Sequence, residues 1–185
     1  MSPELKVYDY SELDITKTSV LPVHVEMGCG NNRRDVEDHK NIGIDLVDGE
    51  VVDHVCNLGF QRVPLDDDSV DFIQAIDLVE HIPKCVWMYG KRSLPLIHFM
   101  NECFRIIKNG GEFYLEVPFS DWAFNRDPTH VSHFAEDWYN YFKADDNIYY
   151  DQELVECNFT AKENYFRPYK NPNDILCTRL VAQKE

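Results

Sequence analysis

The stretch Val23-His24-Val25-Glu26-Met27-Gly28-Cys29-Gly30-Asn31 decides the fold. An apolar alternation running into two glycines one residue apart reads as a strand followed by a tight turn, where bare backbone can approach a ligand. A dinucleotide fingerprint would place a third glycine at position 33, but Arg33 stands there. An acid inside the strand end would also face a pyrophosphate unfavourably, whereas Glu26 suits a ligand carrying an ammonium or sulfonium. This argues against NAD or FAD.

Outward from this stretch, short apolar runs recur. Strands are expected over Val20 to Glu26, Ile42 to Asp45, Val51 to Cys56, Ser69 to Asp77 and Glu112 to Val117, with two late strands near Cys157–Phe166 and Ile175–Ala182. The polar segment Asn31 to Lys40 has room for a short helix without an apolar stripe. The clearest helix has Leu96, Met100, Cys103, Phe104 and Ile107 on one face. Ser93 is its expected cap, Pro95 its first turn and Asn109-Gly110-Gly111 its stop. A shorter helix is expected over Glu136 to Lys143.

Apolar strands alternating with crossovers imply an α/β fold with a mostly parallel sheet. The two late strands imply an antiparallel edge hairpin. Ligands of such sheets bind beyond the carboxyl ends of the strands, so the residues to inspect are Glu26 to Gly30, Asp45, Cys56-Asn57, Asp77 to His81, and Pro118 onward. Asp45 lies nineteen residues beyond Glu26, where a carboxylate can accept from both hydroxyls of a ribose.

The chain has 185 residues and a formal net charge of −15, which fits one domain over 1–185, with 1–19 as an N-terminal extension. The charge argues against duplex binding, which needs a basic face. Residues 45 to 80 hold ten carboxylates against Arg62, whereas 81 to 108 are net basic. Asp66 to Asp68 are expected to be solvated in a turn, and the two stretches to give one pocket two sides of opposite sign. There is no apolar run of membrane-spanning length and no apolar signal segment near the start. The six cysteines form no CxxC or other tight metal spacing. A reduced, cytoplasmic protein without membrane contact is expected.

Further motifs fall in order: Val63-Pro64-Leu65-Asp66-Asp67-Asp68-Ser69-Val70-Asp71-Phe72, then Asp77-Leu78-Val79-Glu80-His81-Ile82, then Arg105-Ile106-Ile107-Lys108-Asn109-Gly110-Gly111. Together with Glu26-Met27-Gly28-Cys29-Gly30 and Asp45, they make the chain resemble a class I S-adenosylmethionine-dependent methyltransferase of the short type 11 kind, over about residues 20 to 118. The resemblance implies a Rossmann-like three-layer α/β/α sandwich with a mostly parallel seven-stranded sheet and an antiparallel edge hairpin. It also implies S-adenosyl-L-methionine as cofactor and S-adenosyl-L-homocysteine as product.

By position, Glu26, Gly28, Cys29 and Gly30 resemble the loop around the methionine part of the cofactor. Asp45 and Leu46 match the ribose side, and Cys56, Asn57 and Leu58 the adenine side, with Asn57 where an aspartate is usual. Asp77 and Leu78 fall where the cofactor's amino group is held. The acceptor side is expected in a loop over 119–135, with Phe119, Trp122, Arg126 and Asp127 toward the substrate. His81, His130 and His133 are the candidate bases. Asp127, His130 and His133 have the residue types of a metal site, but no tight motif accompanies them, and no metal is expected. The segment Lys84 to Arg92, mixing cations and aromatics, reads as a lid or a packed connector.

The implied activity is methyl transfer to a small-molecule or glycan acceptor. The alternatives are a non-catalytic cofactor-binding partner subunit and an RNA methyltransferase, the latter disfavoured by charge and by the lack of an aromatic-basic motif.

Overall fold

The computed structural model describes residues 21–143 and 154–184. The N-terminal extension expected over 1–19 and the first residue of the strand expected from Val20 lie outside them.

Five mutually parallel strands and a further antiparallel pair build on the opening motif. They are β1 (Val23–Met27), β2 (Lys40–Asp45), β3 (His54–Val55), β4 (Val70–Ile76), β7 (Ile107–Pro118), β8 (Phe159–Arg167) and β9 (Ile175–Ala182). The sheet order is β3-β2-β1-β4-β7-β9-β8, with β7 antiparallel to β9 and β9 antiparallel to β8; the β3-to-β7 pairings are parallel. Chain order reverses between β1 and β4, so their carboxyl ends open the crevice where such sheets bind ligands. A separate hairpin, β5 (Val86–Met88) and β6 (Lys91–Ser93), follows the Glu80-His81 turn.

Alternation along the central strands divides the sheet. Val25, Met27, Ile73, Ala75, Phe113 and Leu115 point to the face packed by helix α1 (Pro95–Ile106), which buries Leu96, Ile97, Phe99, Met100, Cys103 and Ile106. The other face carries His24, Glu26, Gln74, Tyr114 and Glu116, all buried, with a small apolar cluster around Val36 and Phe72.

Local chemistry moved several boundaries. Ser93 does not cap α1, because it ends β6 opposite Val86; Leu94 is the cap residue and makes no side-chain bond. Nor does Asn109-Gly110-Gly111 stop the helix. The carbonyls of Arg105 and Ile106 already accept from the amides of Asp68 and Ser69, and Ile107 turns extended to pair with Val70. The glycines serve instead at the irregularity between Val70 and Phe72. Gly110 has φ +76°, and a Cβ on Gly111 would lie 2.6 Å from Ile107 Cγ1. No helix forms over Asn31 to Lys40, since the Asn41 side chain captures both the amide and the carbonyl of Val36. The helix expected over Glu136 to Lys143 is a 3₁₀ turn, Trp138–Phe142. No helix among the described residues is long and apolar enough to cross a membrane.

The acid-rich turn is paired rather than simply solvated. Asp67 meets Arg62 and Arg105, Asp68 meets Lys184, and Asp71 meets Lys108. Burial would raise the Glu102 carboxyl, but the Arg105 guanidinium and the Val63 amide outweigh it and hold it low. Arg105 also donates to the carbonyls of Val63 and Leu65. Arg105→Met should therefore cost about 2–3 kcal/mol, somewhat below a fully buried pair because both side chains retain some exposure. Urea unfolding checks this, and Arg105→Met/Glu102→Gln should recover part of the loss.

Candidate active site

The loop after β1 is held from three directions. The amides of Gly28 and Cys29 donate to the carbonyl of Ile44 at the end of β2. Glu26, fully buried, takes the guanidinium of Arg34 on one oxygen (2.5 Å) and the Arg34 amide on the other. Its carboxylate thus organises the loop, and a direct ligand contact would have to compete with Arg34. Arg33, in the place of the absent third glycine, bridges Asp35 and Asp53 and donates to the Val51 carbonyl. Asp53 also accepts from the Gly43 amide, so one carboxylate ties β2, β3 and the loop together.

The two glycines differ in role. Gly28 (φ +70°) lies against Leu78, whose Cδ1 would be 2.8 Å from an added Cβ. Gly30 (φ +54°) faces open space, with nothing within 4 Å. Asp45 accepts from the Gly30 amide on one oxygen (2.8 Å) and from Val47 on the other (3.0 Å). A carboxylate has about four acceptor sites, so these bonds fix its orientation and leave lone pairs for a diol. Beside it, Leu46 and Val47 are 61% and 70% exposed, an apolar margin open to a planar group.

Cys29, Cys56 and Leu58 are buried in the protein body, and so can offer a ligand backbone rather than side chains. Burial, with Asp45 and Glu26 nearby, pushes the Cys29 thiol up to about 11, which keeps it un-ionised at neutral pH. Asn57 closes a turn: its carbonyl accepts from Phe60 and Gln61, and its amide donates to the Gln61 side chain (2.6 Å). The Asn57 side-chain amide takes no part in that turn. Asp77 directly follows β4 at φ +51°, a sparsely populated conformation of the kind held at functional sites. Desolvation in the crevice, with Glu116 adding to it, raises its carboxyl.

Beyond β4 and β7 lies the loop expected to face the acceptor. Asp174 anchors it. Its backbone carbonyl accepts from Phe119 and Ser120, and its carboxylate accepts from the Ser120 hydroxyl and the amides of Lys170 and Asn171. Burial would raise this carboxyl, but these donors hold it well below the usual range. Ser120 in turn caps the short helix α2 (Asp121–Asn125). Phe119 packs on Phe166 at the core's edge, while Trp122 stacks on Tyr169 with Arg126 against both rings. Within Lys84 to Arg92, Lys84 donates to the His133 carbonyl and lies over the Phe134 ring, while the β5–β6 hairpin leaves Trp87 and Tyr89 exposed.

The three candidate histidines separate. His133 gives its Nε2 to the Phe119 carbonyl (2.9 Å) and stacks on Phe124. His130 donates Nδ1–H to the Phe124 carbonyl (2.7 Å), which leaves Nε2 as an acceptor. His81 Nδ1 meets Thr129 Oγ1 (3.0 Å); that hydroxyl donates to Asp127 (2.6 Å), so the imidazole is the donor and its Nε2 too keeps a lone pair. Thr129 also holds the Asp127 carboxyl below its ordinary value. Glu80 completes this cluster, unforeseen in the sequence. It is 1% exposed, burial pushes its carboxyl up to about 8, and neither oxygen meets a hydrogen-bond donor.

No family model matches the chain, and no curated protein does. Solved structures do match in fold. An S-adenosylmethionine-dependent methyltransferase from Methanosarcina mazei superposes with a TM-score of 0.57 at 15% identity, covering 91% of this chain and 95% of that one. The chain has the class I methyltransferase fold. The N-methyltransferase NodS from Bradyrhizobium japonicum, in complex with S-adenosyl-L-homocysteine, gives 0.57 at 13% identity over 89% and 80%. Phosphoethanolamine N-methyltransferase 1 from Haemonchus contortus gives 0.61 at 14% over 88% of this chain and 40% of its own. The seven-stranded Rossmann-like architecture expected from the sequence is thus the one observed.

Proposed function

We propose that the chain, as a single domain, binds S-adenosyl-L-methionine and transfers its methyl group to a small-molecule or glycan acceptor. The observation that carries this reading is the pairing of an open Gly30 with an Asp45 carboxylate whose orientation is fixed by backbone amides yet whose acceptor capacity is not exhausted. Asp45 would take the ribose hydroxyls, Leu46 and Val47 would flank the adenine, and the Asn57 amide would read its edge. The Gly28–Gly30 backbone and Asp77 would hold the methionine part. When bound, the cofactor supplies a methyl carbon activated by a sulfonium.

The chain's own task is alignment, exclusion of water and, for an acceptor protonated at neutral pH, proton removal. The Nε2 atom of His81 or His130 would take that proton; the bonds that occupy each Nδ1, with Thr129 and Asp127 behind His81, support this reading. The Trp122–Tyr169 pair with Arg126 suits an acceptor bearing a ring or an anionic group. The acidic surface fits a small acceptor better than RNA, and free, mostly buried cysteines fit a reducing cytoplasm.

Incubation with methyl-labelled S-adenosylmethionine and fractionated cell extract tests the activity. Label should move to a low-molecular-weight or glycan fraction with wild type. His81→Ala should slow an acceptor that must lose a proton by about 10²–10⁴-fold. Transfer to RNA alone, or to nothing despite cofactor binding, would overturn the acceptor assignment.

His24 offers a separate check on the fold that carries the site. It is fully buried and bonded to Asn41, and burial lowers its pKa to about 4. Its folded pKa is below the unfolded value of 6.5. The unfolded chain therefore binds the extra proton between about pH 6.5 and 4, and stability falls as pH drops through that window. The loss approaches about 3 kcal/mol from this group. The pH slope of urea stability in that range should flatten in His24→Gln.

A further inference from the structure

We propose that Glu80, His81 and His130 form a binding site for a divalent transition-metal ion. One carboxylate oxygen and two imidazole nitrogens lie within 4.8 Å of one another, and His130 Nε2 stands 3.8 Å from Glu80 Oε1. Donors around a metal at ~2.1 Å stand about 3–3.5 Å apart, so closure needs a contraction of roughly an ångström at the exposed His81.

Three independent features support the cluster as a ligand set. Glu80 is almost completely buried and neither oxygen of its carboxyl has a hydrogen-bond partner, a place that a bound cation would fill. Each imidazole spends Nδ1–H on a fixed partner: the Phe124 carbonyl for His130, and the Thr129 hydroxyl backed by Asp127 for His81. Both therefore present Nε2 lone pairs, the arrangement that orients histidine ligands. The third feature is the coupling of the two segments. The Glu80 carbonyl accepts from the amides of Val131 and Ser132, and the Ser132 hydroxyl donates to the Ile82 carbonyl. This clamps the post-β4 turn to the post-β7 loop.

Two imidazoles and a carboxylate favour manganese, iron, cobalt or zinc over magnesium or calcium. Three protein donors leave positions open for an acceptor oxygen, which the metal would acidify in the loaded state, where the two Nε2 atoms are no longer free to act as bases. That last step rests on the methyl-transfer reading; the metal site itself does not. The residues that meet are Glu80, His81 and His130, not the Asp127, His130, His133 set considered from spacing.

Cobalt(II) is the probe, titrated into the chelator-treated full chain without S-adenosylmethionine and followed by calorimetry and visible absorption. One equivalent should saturate, with bands of a nitrogen- and oxygen-bound ion. Glu80→Gln and His130→Ala should each weaken binding by about 100-fold, and Asp127→Asn by about 10-fold. His98→Ala, on α1, should leave it unchanged. His81→Ala decides the matter if a buried-site variant fails to fold, since His81 lies at the surface. Absence of saturable cobalt binding by wild type, or binding unaffected by His81→Ala, would overturn the proposal. Because no cofactor is present, failure here is distinct from failure to bind S-adenosylmethionine.

Discussion

Asp45→Ala should weaken S-adenosylmethionine binding by about 100-fold while leaving the fold nearly as stable as wild type. The carboxylate is expected to hold the ribose through charge-assisted bonds worth ~1.5–3 kcal/mol each, and 1.4 kcal/mol is a factor of ten. Its existing bonds to the amides of Gly30 and Val47 are near solvent, so water replaces them in the variant and the stability cost stays near 1 kcal/mol. Asp45→Asn should lose about tenfold, because one acceptor of the right shape survives. Calorimetry reads the affinity and a thermal melt reads the fold. Loss of both together would mean that Asp45 serves the loop rather than the ligand.

Gly43→Ala should show the reverse, a large loss of stability. A Cβ there would lie 2.4 Å from the Val51 carbonyl oxygen, 2.9 Å from Cys29 Sγ and 3.0 Å from Arg33 Cδ. The first of these is backbone and cannot rotate away, so the β2–β3 connection or the glycine loop must shift, at a cost of about 3 kcal/mol. Gly30→Ala is the contrast. Its new methyl meets nothing in the protein, so only about 1–2 kcal/mol of left-handed strain is expected. If the cofactor occupies that space, however, affinity should fall beyond what the strain explains. Urea unfolding alongside ligand titration separates the two variants.

The sheet was legible because its signals are local. β1 alternates, β4 is a near-continuous apolar run, and glycines and acids fall at strand ends. Helix α1 was legible for the same reason, but its ends were not. Ser93 looks like a cap until the β5–β6 hairpin claims it, and the carbonyls that Gly110 might have closed are taken by Asp68 and Ser69, far away in sequence. The side-chain partners of the site were equally hidden. Nothing in the order of residues pairs Arg34 with Glu26 or Thr129 with His81, and Glu80 reads as half of an acid–histidine dipeptide until burial leaves its carboxylate unpartnered. Asp174, which anchors the loop after β7, carried only the weak signal of an Asn-Pro-Asn-Asp turn.

Charge gave the plainest revision. Asp67 precedes β4 and Asp71 lies at its start, and Arg105 and Lys108 pair with them there. These members of the acid-rich and basic stretches therefore meet at the end of β4 opposite the crevice. The acids left at the ligand end, Asp45, Asp77 and Glu80, are the ones with a proposed task.

The most direct test is a titration of the full chain with S-adenosyl-L-homocysteine, followed through backbone amide shifts. Saturable perturbation should be largest at Gly28, Gly30, Asp45, Leu46, Asn57 and Asp77, with one site per chain. Unmoved amides at these strand ends, or shifts confined to another surface, would contradict the assignment of this crevice as a cofactor site.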